Sequence, residues 1–451
     1  MTAKRHYWIE SGFLSVLQNF SGVFFGFASF FLLVRSLDNH SFGAWVLFMS
    51  TTTIVEAIRN GLIQSALIRY VSSGRKEEHP RIVAASLLLG GSVTLLTVGA
   101  AHLGAPYLSA LWKTPELTNL FRVYTIGFSV SLFLSLFNCV EQANLRFRGV
   151  FVTGLIRQFL FFAFVAASFF LHHRIELSEL AWVQVVSIVV STVFAYLYTR
   201  DHFKLSFDNT GYWIRKLFGY GKYGFGTSVS SLLSGTIDQM MLGAMLSPAA
   251  SGAFNIAVRI TNLIDIPTNA MAAIVFPQSA KRMEEEGSSA VKYLYEKSVG
   301  TTLAILLPGV LFLYFFADWV IWAVAGQKYA DSIPLLKITL LYCLLIPFGR
   351  QFGTILDSVG KTRITFLVVL FTATLNLGLN FILIRKMGVM GAAYATLCSN
   401  IVGFTVAQYI LRREIGVELK NTIIYMYRFY PEFYNRHVLP AWSRKSNIDN
   451  Q

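Results

Sequence analysis

Glu56, Arg59 and Asn60 stand at i, i+3 and i+4 in a run that is otherwise apolar. That spacing puts an acid, a guanidinium and an amide on one face of a helix. Ionisable groups at membrane depth usually face a bundle interior or water, so the trio reads as a cavity lining. The plainer reading is a self-neutralising Glu56–Arg59 pair that holds helices together. A second set, Arg259, Asn262, Asp265 and Asn269, falls on one helical arc. Pro267 follows the acid; it removes a backbone donor and bends the helix, which makes it a candidate hinge or a simple packing bend. Arg259 could fork onto two phosphate oxygens or snorkel to an interface. Thr227, Ser231, Ser234 and Asp238 form a polar stripe that ends against Met240, Met241 and Leu242. Carboxylates at such depth serve proton relays, so Asp238 and Asp265 are coupling candidates, with structural hydrogen bonding as the plainer role. Arg350 shares a face with Thr354 and Asp357 and is a third cavity cation.

No nucleophile–base pair, catalytic dyad or metal spacing is visible. Cys139, Cys343 and Cys398 lie far apart, in or beside apolar runs, and read as packing residues. No catalytic residue, metal or cofactor is expected.

The elements that position these groups are set by composition. Hydrophobic residues make up 54% of the 451-residue chain and charged residues 14%, with a mean hydropathy of +0.54. A soluble domain carries roughly 25% charged residues. The apolar residues come in runs of about 20, the length that crosses a ~30 Å hydrocarbon layer as helix. Runs this long without alternation exclude a barrel. Twelve spans are expected, near 11–35, 42–66, 82–104, 119–140, 150–171, 179–199, 223–246, 252–278, 300–325, 333–357, 363–384 and 391–411. Lys4 and Arg5 precede a span-length first run without a small-residue cleavage site, so the start reads as an uncleaved helix. Of the 38 lysines and arginines, 27 fall in the loop set containing the termini and 8 in the opposite set. The positive-inside rule then places both termini in the cytoplasm. The same split explains most of the net charge of +14 without nucleic acid, and anionic inner-leaflet lipid is a sufficient partner.

The chain repeats itself at an offset of 209 residues. Gly12 meets Gly221, Gly26 meets Gly235, and Gly43-Ala44-Trp45 meets Gly252-Ala253-Phe254. Glu56 meets Asp265 and Asn60 meets Asn269. An acid and an amide four residues apart, matched inside two apolar helices, argue for a parallel repeat: an all-α polytopic membrane protein of two six-helix lobes. In such transporters substrate sites lie between halves near the midplane. The expected organisation is a first lobe at 1–199, a basic amphipathic linker at 200–222, a second lobe at 223–411 and a membrane-surface tail at 412–451.

Several stretches resemble a known family. Thr236-Ile237-Asp238-Gln239-Met240-Met241-Leu242-Gly243, Leu246-Ser247-Pro248 and Gly252-Ala253-Phe254-Asn255-Ile256-Ala257 are similar to the seventh-to-eighth helix region of polysaccharide-type flippases. These belong to the multidrug/oligosaccharidyl-lipid/polysaccharide exporter superfamily. Phe276-Pro277, Leu356-Asp357-Ser358-Val359-Gly360-Lys361-Thr362, Asn376, Asn380 and Gly388-Val389-Met390-Gly391-Ala392-Ala393-Tyr394-Ala395-Thr396 extend the likeness over about 1–411. The resemblance implies a bacterial inner-membrane protein that exports a polyprenyl-pyrophosphate-linked oligosaccharide unit for O-antigen, capsule or exopolysaccharide by alternating access. It implies no enzymatic activity, and it admits polymerase or glycosyltransferase proteins of the pathway as partners. A pyrophosphate head group suits Arg59 and Arg259. The competing reading is a multidrug or cation antiporter of the same superfamily, whose first helix is expected to carry an acid; here none follows Glu10 in that run. A membrane-bound polymerase or glycosyltransferase is more remote, because the longest loop offers no room for its constellation.

Overall fold

Hydrocarbon supplies no hydrogen-bond partners, so a spanning chain must satisfy its backbone internally. The computed structural model accordingly consists of helices and short turns throughout its described residues, 2–73, 75–144 and 146–435. Side chains are described for these except at 2–16, 19, 73, 223–224, 227–234 and 280. The polar stripe residues Thr227, Ser231 and Ser234 therefore lie outside the described side chains. The chain divides by internal contacts into two units, residues 1–252 and 253–451.

The first unit holds α1 (Thr2–Ser36), α2 (Asn39–Ser73), α3 (His79–Leu111), α4 (Glu116–Ala143), α5 (Phe147–Phe170), α6 (Leu177–Thr199) and α7 (Thr210–Met245). Its most extensive packing pairs α2 with α7, then α4 with α6 and α1 with α5. Helices α2 and α7 run antiparallel, and glycine lets them approach. A Cβ on Gly221 would fall 1.8 Å from the carbonyl oxygen of Leu62, and one on Gly243 would fall 2.6 Å from Leu47. Between these points the Ser50 hydroxyl donates to Gln239 Oε1 at 3.1 Å. Lipid is as apolar as leucine, so close backbone approach and buried hydrogen bonds, not exclusion from water, hold such a pair. The basic stretch read as a separate linker enters α7 without a break from Thr210. Trp213 and Leu217 are buried in a cluster with Leu62, Ile63 and Leu67, while Phe218 stays exposed.

Helix α8 (Pro248–Asn262) starts in the first unit and crosses the boundary. The second unit continues with α9 (Asp265–Glu285), α10 (Ser288–Phe315), α11 (Ala317–Ala325), α12 (Ser332–Cys343), α13 (Ile346–Ser358), α14 (Thr362–Met387), α15 (Val389–Ile415) and α16 (Leu419–Phe433). Its core gathers Val275, Tyr295, Val299, Phe348, Phe352 and Leu411 among others. Three expected spans are broken. The ninth turns at Phe316, between α10 and α11. The eighth turns at Leu263-Ile264, four and three residues before Pro267, and the tenth at Leu344-Leu345, three and two before Pro347. A proline ring clashes with the carbonyl four residues back, here those of Leu263 and Cys343. The break at Pro267 was legible in the sequence as a bend; the one at Pro347 was not singled out.

Among the described residues nine stretches are long and apolar enough to cross a membrane: α2 to α6, α10, α12 with α13, α14 and α15. The other expected spans coincide with α1, with the glycine- and serine-rich α7, and with the broken α8–α9 pair. The tail was expected to lie on the membrane surface. Its described helix, α16, packs lengthwise on α10, with Glu296, Gly300 and Ala304 meeting 418–421, 422–426 and Tyr430 in rising order. The buried Glu296 carboxylate accepts from the Glu418 backbone N–H at 2.8 Å and the Asn421 amide at 3.1 Å. Negative charge at a helix N-terminus is favourable. Glu296→Ala leaves both donors without that acceptor, so α16 should loosen by about 1–3 kcal/mol; faster amide exchange confined to 419–433 is the expected reading.

Candidate functional site

In the first unit the polar centre gathers on α2, α4 and α5. Glu56 accepts a hydrogen bond from the Tyr124 hydroxyl and faces Arg157 Nη2 at 3.9 Å. Arg157 is well inside α5, and its side chain is 39% exposed. Arg157 is one of the 27 cations that position in the sequence assigns to the loop set containing the termini. Arg59, expected to line a cavity, is buried instead, at 1% exposure. Its Nη1 donates to the Phe128 carbonyl at 2.7 Å and Nη2 to Ser131 Oγ at 2.8 Å, and its plane lies over the Phe128 ring at 4.2 Å. A guanidinium at depth needs such partners, and α4 supplies them. Asn60 accepts from the Ser135 hydroxyl at 3.2 Å. The three groups of the α2 patch thus all bond to α4, and only Glu56 also reaches a cation on another helix.

In the second unit the centre forms where two of the broken spans meet. Asp265 is the first residue of α9, and Arg350 lies in the second turn of α13. Arg350 Nη2 sits 3.1 Å from Asp265 Oδ2, with the side chains 45% and 23% exposed. Asn269 donates to the same oxygen at 3.2 Å, while Asp265 Oδ1 is buried without a hydrogen-bond partner. Discontinuous helices place free backbone ends at depth, and transporters use such ends around their substrates. Asn262 and Arg259 on α8 are exposed, and no carboxylate among the described residues pairs with Arg259. Asp238 is buried in α7. Pro267 lies in the first turn of α9, just beyond the break that it helps to cause.

Glu56 and Asp265, the two acids at the 209-residue offset, each lie within ion-pair distance of an arginine from another helix, at 3.9 and 3.1 Å. The acids and amides were visible in the sequence, but Tyr124 and Arg157 were not singled out. Their signal was present, since an arginine eleven residues into an apolar helix needs a partner at depth.

A family model described as "Polysaccharide biosynthesis protein" matches residues 32–334. The chain belongs to this polysaccharide biosynthesis protein family. Among the chain's relatives, the lipopolysaccharide biosynthesis protein WzxC of Escherichia coli is 19% identical over 398 residues, 86% of this chain and 78% of WzxC. Solved structures share the fold, two of them over most of both chains. An inward-facing multidrug resistance MATE family transporter of the MOP superfamily matches with a TM-score of 0.75 and 17% identity, over 87% of this chain and 95% of the other. The lipid II flippase MurJ, in an inward closed conformation, matches with a TM-score of 0.74 and 13% identity, over 96% and 93%. This member of the polysaccharide biosynthesis protein family is thus a multi-pass, all-helical membrane protein on a plan shared by a drug transporter and a lipid flippase.

Proposed function

We infer that the protein is a flippase that moves a polyprenyl-diphosphate-linked oligosaccharide from the inner to the outer leaflet of the bacterial cytoplasmic membrane. The fold is one on which two different cargoes are carried, so it does not choose between them. The family description and WzxC both belong to polysaccharide synthesis, where a membrane carrier has a lipid-linked sugar to move. The observation that carries the reading is the arginine clamp on each repeat-matched acid. Arg157 and Arg350 remain partly exposed and are held by carboxylates, so the diphosphate of a cargo can compete for them. Arg259, exposed and paired with no carboxylate among the described residues, is a third anion ligand. Arg59 locks α2 to α4 in this conformation, and Asp238 and Asp265 are the candidates for carrying a proton when a clamp opens.

The reading includes twelve spans in two six-helix lobes, 1–199 and 223–411, with both termini cytoplasmic. It supposes that Pro267 marks a hinge, that anionic inner-leaflet lipid binds the basic loops, and that polymerase or glycosyltransferase proteins work beside the carrier. Catalysis is not part of the role. An arginine-lined site repels organic cations, which weighs against the antiporter reading.

The test is reconstitution into liposomes with a fluorescent polyprenyl-diphosphate oligosaccharide and a lectin that reads its outer-leaflet appearance. Wild type should move the lipid, and Arg157→Ala and Arg259→Ala should each slow it by about 10-fold or more, the scale of one lost charge-assisted contact. Undiminished flipping in both variants would remove the diphosphate role. Ion-coupled efflux of an organic cation, with no lipid movement, would favour the antiporter.

A further inference from the structure

Beside the polar centre of the first unit lies a hollow of about 200 Å³ between α2, α3 and α4. Its walls include Thr52 and Val55 of α2, Ala101 and Ala105 of α3, and Tyr124 and Phe128 of α4. The lining is mostly apolar, and of its four threonines Thr51, Thr52 and Thr125 turn their hydroxyls to carbonyls of their own helices at 2.8, 3.1 and 2.6 Å, with Thr97 the fourth. Helix α3 lines the space largely with small residues, Val98, Ala100, Ala101 and Ala105. On the outer side of the same helix Leu95, Leu96 and Leu103 are exposed, the aspect expected toward hydrocarbon.

Two rings of this wall face both ways. Tyr124 lines the hollow and donates to Glu56. Phe128 lines it and lies beneath Arg59, its carbonyl accepting from that guanidinium. One sheet of aromatic surface thus separates an apolar chamber from the carboxylate that Arg157 clamps. A molecule whose anionic head and hydrocarbon tail join directly matches that arrangement. An apolar cavity of ~150 Å³ takes up benzene, so this one holds roughly eight carbons, one to two isoprene units.

We propose that the hollow seats the first isoprene units of the cargo, next to the diphosphate. This rests on the flippase reading and names the lipid part that the first unit recognises. Moving a chain from bilayer into this chamber exchanges one apolar surface for another, so hydrophobic transfer contributes little and the gain comes from fit. Discrimination is therefore modest and depends on shape.

The experiment has two arms on the full-length protein in liposomes. A polyprenyl diphosphate bearing a photoreactive group on its second isoprene unit is irradiated, and the adducts are mapped by mass spectrometry. Labelling within Val98–Ala105 is expected, and labelling only elsewhere overturns the proposal even if transport is found. In the second arm, flipping of the oligosaccharide on a polyprenyl carrier is compared with flipping on a saturated straight-chain carrier. Wild type should prefer the polyprenyl carrier by about fivefold, and Ala101→Phe should bring that ratio close to one. An equal loss for both carriers, or an unchanged preference, overturns the proposal, as does a wild type that treats both carriers alike, which would make the hollow an ordinary acyl-chain site. Labelling at α3 without any transport would instead strike the flippase reading alone.

Discussion

Arg350→Ala should cut flipping of a diphosphate-linked oligosaccharide by roughly 10- to 100-fold while leaving the fold nearly as stable as wild type. The two halves of that expectation have separate physical sources. A half-exposed ion pair such as Arg350–Asp265 contributes only about 0–1 kcal/mol to stability. A hydrogen bond from a charged donor to an anionic ligand is worth about 1.5–3 kcal/mol, which sets the loss in rate. Asp265→Asn separates the roles further. It frees Arg350 from its carboxylate, keeps the Asn269 contact feasible and removes the negative charge. If the acid only positions the arginine, the variant should bind cargo at least as tightly as wild type. If it carries a proton, transport should become insensitive to collapse of the proton gradient. The exchange Asp265→Arg with Arg350→Asp restores an ion pair but moves the cation from α13 to the α9 N-terminus. Recovery of full transport in that double variant would show that the pair is structural and would remove Arg350 as a cargo ligand.

Much of this site was legible because intramembrane polarity is costly and therefore conspicuous. Glu56, Asn60, Asp265 and Asn269 stood out as acids and amides inside apolar runs, and the 209-residue offset joined them. What the sequence does not contain is the partner of each acid. Arg59 lies one turn from Glu56, yet its donors go to Phe128 and Ser131 on α4, while the cation facing Glu56 comes from α5. That choice is made by side-chain direction and helix packing, which periodicity on one helix does not reveal. The breaks divide in the same way. Pro267 signalled its bend because it followed a polar arc, whereas Pro347 sat in an unbroken apolar run and gave no contrast. The tail adds a contact of the same kind. Aromatic and basic residues after Leu411 suit a membrane surface, and what the sequence does not show is the buried Glu296 carboxylate on α10, 122 positions before the Glu418 N–H from which it accepts.

The largest effect on folding is expected at Gly43. This residue begins the repeat-matched segment whose partner is Gly252, and the two glycines meet in the structure where α2 and α8 start. A Cβ on Gly43 would lie 1.9 Å from the Pro248 carbonyl oxygen, and one on Gly252 would lie 3.1 Å from the Gly43 Cα. Backbone cannot rotate aside as a side chain can, so Gly43→Ala must part the helix starts. Parting them also strains the approach of Leu47 to Gly243 and the Ser50–Gln239 hydrogen bond. Overpacking of this kind costs typically about 1–3 kcal/mol, and more when backbone must move. Gly252→Ala should cost less, because its nearest contacts, the Phe42 ring at 3.0 Å and the Gly43 backbone at 3.1–3.2 Å, overlap by only a few tenths of an ångström. Gly99→Ala is the control: nothing lies within 4 Å of its added Cβ, and alanine favours helix by up to about 1 kcal/mol. Thermal unfolding in detergent should therefore rank Gly99→Ala at or above wild type, Gly252→Ala below it and Gly43→Ala lowest. A Gly43→Ala protein as stable as wild type would mean that the helix starts do not cross at these glycines, and the internal repeat would lose its clearest point of contact.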